Sequence, residues 1–244
     1  MNPIPENVIV TGASRGIGRA VTERLLAEGC RVTGIARHFD PDDPFGSRFQ
    51  PVTLDLSRID ELPERLRRLR GDCPETGALI CNAGFGRFGS LEEFSPQQIR
   101  ELIDTNLTSQ ILMAREFLPV LKNRGGGDLI FIGSEAALHG GRKGAVYSAT
   151  KFALRGLTQS LREECASTGV RVGIVNPGMV RTGFFDRLDF RPDEDEACHL
   201  TPDDVAEAVW LMLSTRRGAA IDEINLSPQK RVIRFSGKGE PEKG

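Results

Sequence analysis

Histidine occurs three times in 244 residues, tyrosine and tryptophan once each, and the five cysteines are odd in number with no C-x-x-C pair. Each scarcity excludes a class of function. No two of His38, His139 and His199 stand at ligand spacing, so no metal site is expected. Cys30, Cys73, Cys81, Cys165 and Cys198 are widely separated, which fits reduced thiols in a cytoplasmic protein better than a disulfide frame. Charge of neither sign is in excess: 32 Lys and Arg against 34 Asp and Glu leave a net −2, without a basic footprint for nucleic acid. No run of about 18 apolar residues is present to cross a membrane. The opening Met1-Asn2-Pro3-Ile4-Pro5-Glu6 lacks the charged lead and apolar core of an export signal, so a soluble, unprocessed protein is expected.

What is present is concentrated at two places. The lone tyrosine lies in Tyr147-Ser148-Ala149-Thr150-Lys151, and a four-residue step on a helix puts the phenol and the ammonium on one face. A cation held a few Å from a phenol favours the phenolate, which moves the group toward the pH where it exchanges protons with an alcohol or a carbonyl. Tyr and Lys also meet at this spacing by chance on many helices, so the pair alone carries little. Far upstream, the β-branched run Val8-Ile9-Val10 breaks into Thr11-Gly12-Ala13-Ser14-Arg15-Gly16-Ile17-Gly18 and then into an apolar pattern at Val21, Leu25 and Leu26. That reads as strand, tight turn and helix start. Glycines allow positive φ and close approach of a ligand, and a helix N-terminus offers open amides and partial positive charge to a pyrophosphate.

Strands are expected at Val8 to Thr11, Arg31 to Ala36, Gln50 to Asp55, Ala78 to Asn82, Asp128 to Gly133, Arg171 to Asn176 and Glu223 to Leu226, with helices between most of them. That alternation predicts an α/β protein: a single doubly wound Rossmann-type domain with a mostly parallel seven-stranded sheet spanning residues 1 to 233. The stretch from Arg234 to Gly244, rich in Gly, Lys, Glu and Pro, is expected to be disordered. Long helices are expected from Pro96 to Lys122 and from Ala145 to Thr168, and Thr201-Pro202-Asp203-Asp204 reads as the capped start of a last helix ending near Ser214. In such a sheet the ligand crevice lies beyond the carboxyl ends of the strands, where Gly12, Asp55, Asn82, Ser134 and Pro177 would all emerge.

With these motifs in order, the chain resembles the short-chain dehydrogenase/reductase family over nearly its whole length. The glycine turn resembles that family's dinucleotide turn, and Asn82-Ala83-Gly84 its motif after the fourth strand. Asn106, Ser134, Tyr147 and Lys151 fall at its catalytic tetrad, and Pro177-Gly178 followed by Thr182 resembles its nicotinamide-side loop. The resemblance implies a coenzyme held by Gly12, Ser14, Arg15, Gly16, Ile17 and Gly18, by Arg37, Asp55 and Leu56, by Asn82, Ala83 and Gly84, by Tyr147 and Lys151, and by Pro177, Gly178, Val180 and Thr182. It also implies roles: Tyr147 as general acid/base, Lys151 on the ribose and keeping the tyrosine pKa low, Ser134 orienting the substrate oxygen, and Asn106 holding a water that links Lys151 to bulk.

Coenzyme choice is argued at the end of the second strand. Ala36 stands where NAD-selective sites carry an acid, and Arg37 beside it, with Arg15 in the turn, can clamp a 2′-phosphate, so NADP(H) is expected. The substrate is expected to be a small carbonyl or alcohol. Phe85, Phe88, Glu135, His139, Arg142, Phe184 and Phe185 are candidate lining residues, and the acidic tract from Asp193 to Glu196 reads as a mobile, solvated lid. The closing Ile224-Asn225-Leu226-Ser227-Pro228 lacks the Gly-Gly turn of the 3-oxoacyl reductases and looks more like the branch with sepiapterin-reductase-like and 3-hydroxy-acid dehydrogenases. A 3-oxoacyl thioester reductase of the same family and a non-catalytic dinucleotide-binding protein remain alternatives. Apolar residues spread around the two long helices (Leu107, Ile111, Leu112, Phe117, Leu118 and Leu121; Phe152, Leu154, Leu157 and Leu161) exceed one sheet-facing stripe, so a homodimer or homotetramer built on those helices is expected.

Overall fold

A computed structural model describes residues 4–42, 44–186 and 188–235. In chain order the strands are β1 (Asn7–Thr11), β2 (Arg31–Ala36), β3 (Phe49–Thr53), β4 (Ala78–Cys81), β5 (Gly127–Ile132), β6 (Val170–Pro177), β7 (Phe190–Pro192), β8 (Glu223–Leu226) and β9 (Ile233–Phe235). The helices are α1 (Gly16–Ala27), α2 (Leu62–Asp72), α3 (Pro96–Ile103), α4 (Ser109–Asn123), α5 (Ala145–Cys165) and α6 (Pro202–Ser214). Seven strands form one sheet in the order β3-β2-β1-β4-β5-β6-β8, and every neighbouring pair is parallel. The chain starts at the centre, builds outward to β3, then returns to the other side of β1. That reversal between β1 and β4 opens a crevice at the carboxyl ends of the strands.

Helices cover both faces of the sheet, which is why β4 reads Ala-Leu-Ile-Cys and buries all of it. Side chains alternate along each strand. Ile9, Leu79, Leu129 and Phe131 pack with Leu66, Phe117, Leu121 and Leu154 on one face, while Val8, Val10, Ile80 and Ile130 pack with Val21, Leu25, Val205 and Val209 on the other. Phe117 is wholly buried; its truncation to Ala would cost about 3–5 kcal/mol, a large share of a domain's net stability. At the amino end of the sheet Arg171 braces the last turn of α6, donating to Asp128 Oδ1 at 2.6 Å, Thr215 O at 2.6 Å and Leu213 O at 3.0 Å.

The expected strands are all present, with ends shifted by a residue or two, and α6 begins on the Thr201–Asp204 capping box with Pro202 in its first turn. Three expectations change. The stretch from Pro96 to Lys122 is not one α-helix: residues Asp104–Thr108 form a π-helical turn between α3 and α4. The tail expected to be disordered from Arg234 begins instead with two residues of β9, which pairs antiparallel with β7; positions 236–244 lie outside the described residues. The apolar surplus on the long helices is also smaller than the pattern suggests. Phe117, Leu118, Leu121, Leu154 and Leu161 are core, and what remains outside is Ile103, Ile111 and Phe152.

Candidate active site

The glycine turn is locked from beneath by Thr11 and Asn82. Thr11 Oγ1 accepts from the backbone N–H groups of Asn82 and Ala83, both at 2.9 Å, and Asn82 Nδ2 donates to Thr11 O at 2.9 Å. These bonds tie the end of β4 to the end of β1 and shape the floor of the crevice. Gly12 has φ +69°, and a Cβ there would lie 2.7 Å from Asn82 Nδ2; a Cβ on Gly18 would lie 2.2 Å from Gly12 O. Only glycine fits either place. Arg15 caps α1 in extended geometry without a side-chain acceptor, which leaves the first-turn amides at Gly16, Ile17 and Gly18 without a cap from that side chain. Across the crevice, Thr182 stands opposite Gly16, where a Cβ would meet its methyl at 3.4 Å.

At the outer edge, Ala36 ends β2 buried while Arg15 and Arg37 are exposed. Asp55 follows β3 and accepts from Ser57 N at 3.0 Å and Ser57 Oγ at 2.7 Å. Burial pushes the Asp55 carboxyl up, but the Ser57 bonds and the nearby Arg37 charge leave it below its ordinary value. Leu56 points into the core. Any ligand contact there must come from its main chain.

Ser134 and Tyr147 meet over the end of β5. Ser134 caps a single 3-10 turn (Glu135–Ala137), and Tyr147 sits in the first turn of α5, 7% exposed. The expected direction of the tyrosine shift is reversed: burial pushes its pKa up to about 12, a hydrogen bond with Ser134 works the other way, and the charge of Glu135 raises it further. Lys151 does not offset this. Its Nζ donates to Ile132 O at 3.0 Å and stands 5.9 Å from the tyrosine ring centre, and burial lowers its own pKa to about 8. Spacing alone could not reveal that both groups lose most of their water.

Asn106 is anchored by the loop after β4. Its side chain accepts from Phe85 N and donates to Phe85 O, both at 2.9 Å, and lies 3.5 Å from Thr150 Oγ1. It clamps the loop after β4 to the π-helical turn. The π turn is what swings it there, since the extra residue rotates the helix face so that Asn106 is buried against Phe85.

The remaining wall is aromatic. Phe88 and Phe184 stand 5.2 and 6.0 Å from the Tyr147 ring, Phe190 of β7 stands 5.0 Å from Phe88, and Phe235 of β9 stands 6.4 Å from Phe190. His139 and Arg142 are exposed. The acidic tract is not a free lid: Asp195 pairs with Lys230 at 2.8 Å and caps Ala197, and Asp193 pairs with Arg234. Acids that would repel one another are held by Lys230 and Arg234 of the β8–β9 segment.

The short chain dehydrogenase family model matches residues 6–191. The chain belongs to the short-chain dehydrogenase family. It is 30% identical to the NADP-dependent 3-hydroxy acid dehydrogenase YdfG of Escherichia coli (strain K12), over 91% of this chain and 94% of that protein. It is 33% identical to the 3-oxoacyl-acyl-carrier-protein reductase FabG of the same organism, over 71% of this chain and 73% of that one. The X-ray structure of an alcohol dehydrogenase from the archaeon Thermococcus sibiricus, complexed with 5-hydroxy-NADP, superimposes with a TM-score of 0.81 at 28% identity, covering 93% and 98% of the two chains.

Three groups of this short-chain dehydrogenase were not singled out in the sequence. Thr11 was visible as the last residue before the turn, but its bonds reach a strand 71 positions away. Gln110, one helical turn after Asn106, donates to Ala83 O at 2.6 Å and was findable from that spacing. Asn176 donates to Glu223 Oε1 at 3.0 Å, whose other oxygen takes Arg155 Nε at 2.9 Å, a network under Pro177-Gly178 that no local pattern announces.

Proposed function

We propose that this protein is an NADP(H)-dependent oxidoreductase that interconverts the carbonyl and the secondary alcohol of a small substrate, with Tyr147 as proton donor. The observation that carries the reading is a buried, protonated phenol, hydrogen-bonded with Ser134, at the same sheet end as a glycine turn that starts a helix. The residues fit the coenzyme. Gly12, Gly16 and Gly18 leave backbone where a side chain would block a pyrophosphate, Ala36 removes the acid that would repel a 2′-phosphate, and Arg15 and Arg37 are exposed to meet it. The NADP-linked relatives agree.

The coenzyme, when bound, supplies or accepts the hydride. Ser134 holds the substrate oxygen by a hydrogen bond, and Tyr147 transfers its hydroxyl proton to that oxygen as negative charge develops there. Because burial keeps the phenol protonated well above neutral pH, Tyr147 is poised as an acid, which suits reduction. Lys151 holds the nicotinamide ribose hydroxyls and restores a proton to the phenol. Asn82, Ala83, Gly84, Pro177, Gly178, Val180 and Thr182 line the coenzyme's path, and Asn106 acts by positioning the Phe85 loop.

A small carbonyl is favoured over a 3-oxoacyl thioester because the hydroxy acid dehydrogenase aligns along 91% of the chain against 71% for the thioester reductase. Free cysteines support a reducing, cytoplasmic setting, and no helix among the described residues is long and apolar enough to cross a membrane. The exposed Ile103, Ile111 and Phe152 support a homodimer or homotetramer packed on α4 and α5. The test is a coenzyme oxidation assay with NADPH and NADH against a panel of ketones, oxoacyl thioesters and pterins. Preference for NADPH with turnover of at least one small ketone is expected; no turnover of any carbonyl would reject the reading.

A further inference from the structure

Glu135 follows Ser134 directly and opens the 3-10 turn packed against α5. Its carboxylate reaches toward the end of β6, since a Cβ on Gly178 would lie 3.2 Å from Glu135 Oε2. It therefore stands between the reacting phenol and the Pro177-Gly178 loop, half-buried. No donor or cation among the described residues meets it. Other sheltered acids of this fold do have partners: Glu116 has Arg70, Glu223 has Arg155 and Asp128 has Arg171.

An unpartnered, partly desolvated carboxylate is costly, and here it is also badly placed for the reaction. Hydride addition builds negative charge on the substrate oxygen beside Tyr147, and a bare acid whose charge already acts on Tyr147 opposes it. The conflict disappears when the ligand itself carries a positive group. The neighbouring rings of Phe88 and Phe184, 5.2 and 6.0 Å from the Tyr147 ring, offer aromatic surface that suits a cation.

The geometry points to Glu135 as the specificity-determining residue, binding an ammonium group of the substrate, so that the substrate class is amino ketones and amino alcohols rather than keto acids. This rests on the oxidoreductase reading above. A substrate carboxylate at that position would face Glu135 as a like charge and be rejected.

The test measures kcat/KM with NADPH for three ketones of similar size: aminoacetone, butanone and pyruvate. The parent is expected to favour aminoacetone over butanone by about tenfold or more, the scale of one charge-assisted hydrogen bond, with pyruvate last. Glu135→Gln should remove most of that ratio, and Glu135→Lys should shift preference toward pyruvate. Competitive inhibition of the parent by ethylammonium, compared with ethanol, reads the same site without a substitution. A parent ratio below about threefold, or a ratio undiminished in Glu135→Gln, would overturn the assignment while leaving the oxidoreductase reading intact. No reduction of any ketone by NADPH would bring down both.

Discussion

The two walls of the crevice are built on opposite plans. The wall proposed for the coenzyme is backbone: strand ends and glycines whose missing side chains make room, stitched by Thr11 and Asn82. The wall proposed for the substrate is side chain: phenylalanines contributed by the loop after β4, a 3-10 turn, β7 and β9, braced by ion pairs from the acidic tract to Lys230 and Arg234. A backbone wall constrains residue type at each position, because a positive φ or a 2 to 3 Å approach admits glycine alone. A packed wall constrains only volume and polarity, and many sequences meet that.

The sharpest way to break this comparison is at the seam between the walls. Tyr147→Phe keeps the ring against Phe88 and Phe184 but removes the proton, so turnover should fall by about a hundredfold to ten-thousandfold while NADPH binding, measured by fluorescence titration, persists. Near-normal turnover would move the chemistry elsewhere.

Lys151 gives the next largest effect, on stability. Burial holds its folded pKa at about 8 against an ordinary 10.5. As pH falls from 10.5 the unfolded chain binds the proton first, so folding stability declines down to about pH 8 and stays lower beneath it. Raising the pH from 8 to 10.5 should therefore stabilise the parent relative to Lys151→Met by roughly 3 kcal/mol. Tyr147, present in both proteins, begins to destabilise the fold only above pH 10 and cancels in the difference. Urea midpoints at the two pH values decide it; a constant gap would mean that Lys151 is not buried as a cation.

The outer edge of the coenzyme wall is tested by Arg37→Ala combined with Ala36→Asp. Losing one charge-assisted phosphate contact is worth about 1.5–3 kcal/mol, so the ratio of NADPH to NADH dissociation constants should shift tenfold to a hundredfold toward NADH. An unmoved ratio would remove Arg37 from the phosphate site. Smallest is the effect expected across the other wall. Phe190→Ala removes edge contacts with Phe88 and Phe185 and should cost about 0.5–1.5 kcal/mol of stability. KM for the carbonyl should rise and the coenzyme dissociation constant should hold, and a matched change in both would erase the distinction between the walls.

The same contrast explains what could be read from the sequence. The parallel sheet and the glycine turn were legible because fully buried strands and positive-φ turns leave residue-type signatures in short windows. The π turn at Asp104–Thr108 was not, since one extra residue barely disturbs the apolar period and the turn's partner is the distant Phe85 main chain that Asn106 holds. Nor was β9: three exposed residues in a polar tail form a strand only because Phe190, Arg191 and Pro192 are there to pair with them. The direction of the Tyr147 shift depends on burial depth, which a four-residue spacing does not encode.

The Thr11–Asn82 clasp carries a consequence for folding. It joins positions 71 residues apart where β1 pairs with β4, and the entropy of closing so long a segment must be overcome before its few hydrogen bonds form. The glycine turn thus gains its shape late, when β4 docks on β1, even though its own residues are contiguous. Nucleotide affinity becomes a gauge of that docking, and the nucleotide in return holds β4 in place by mass action.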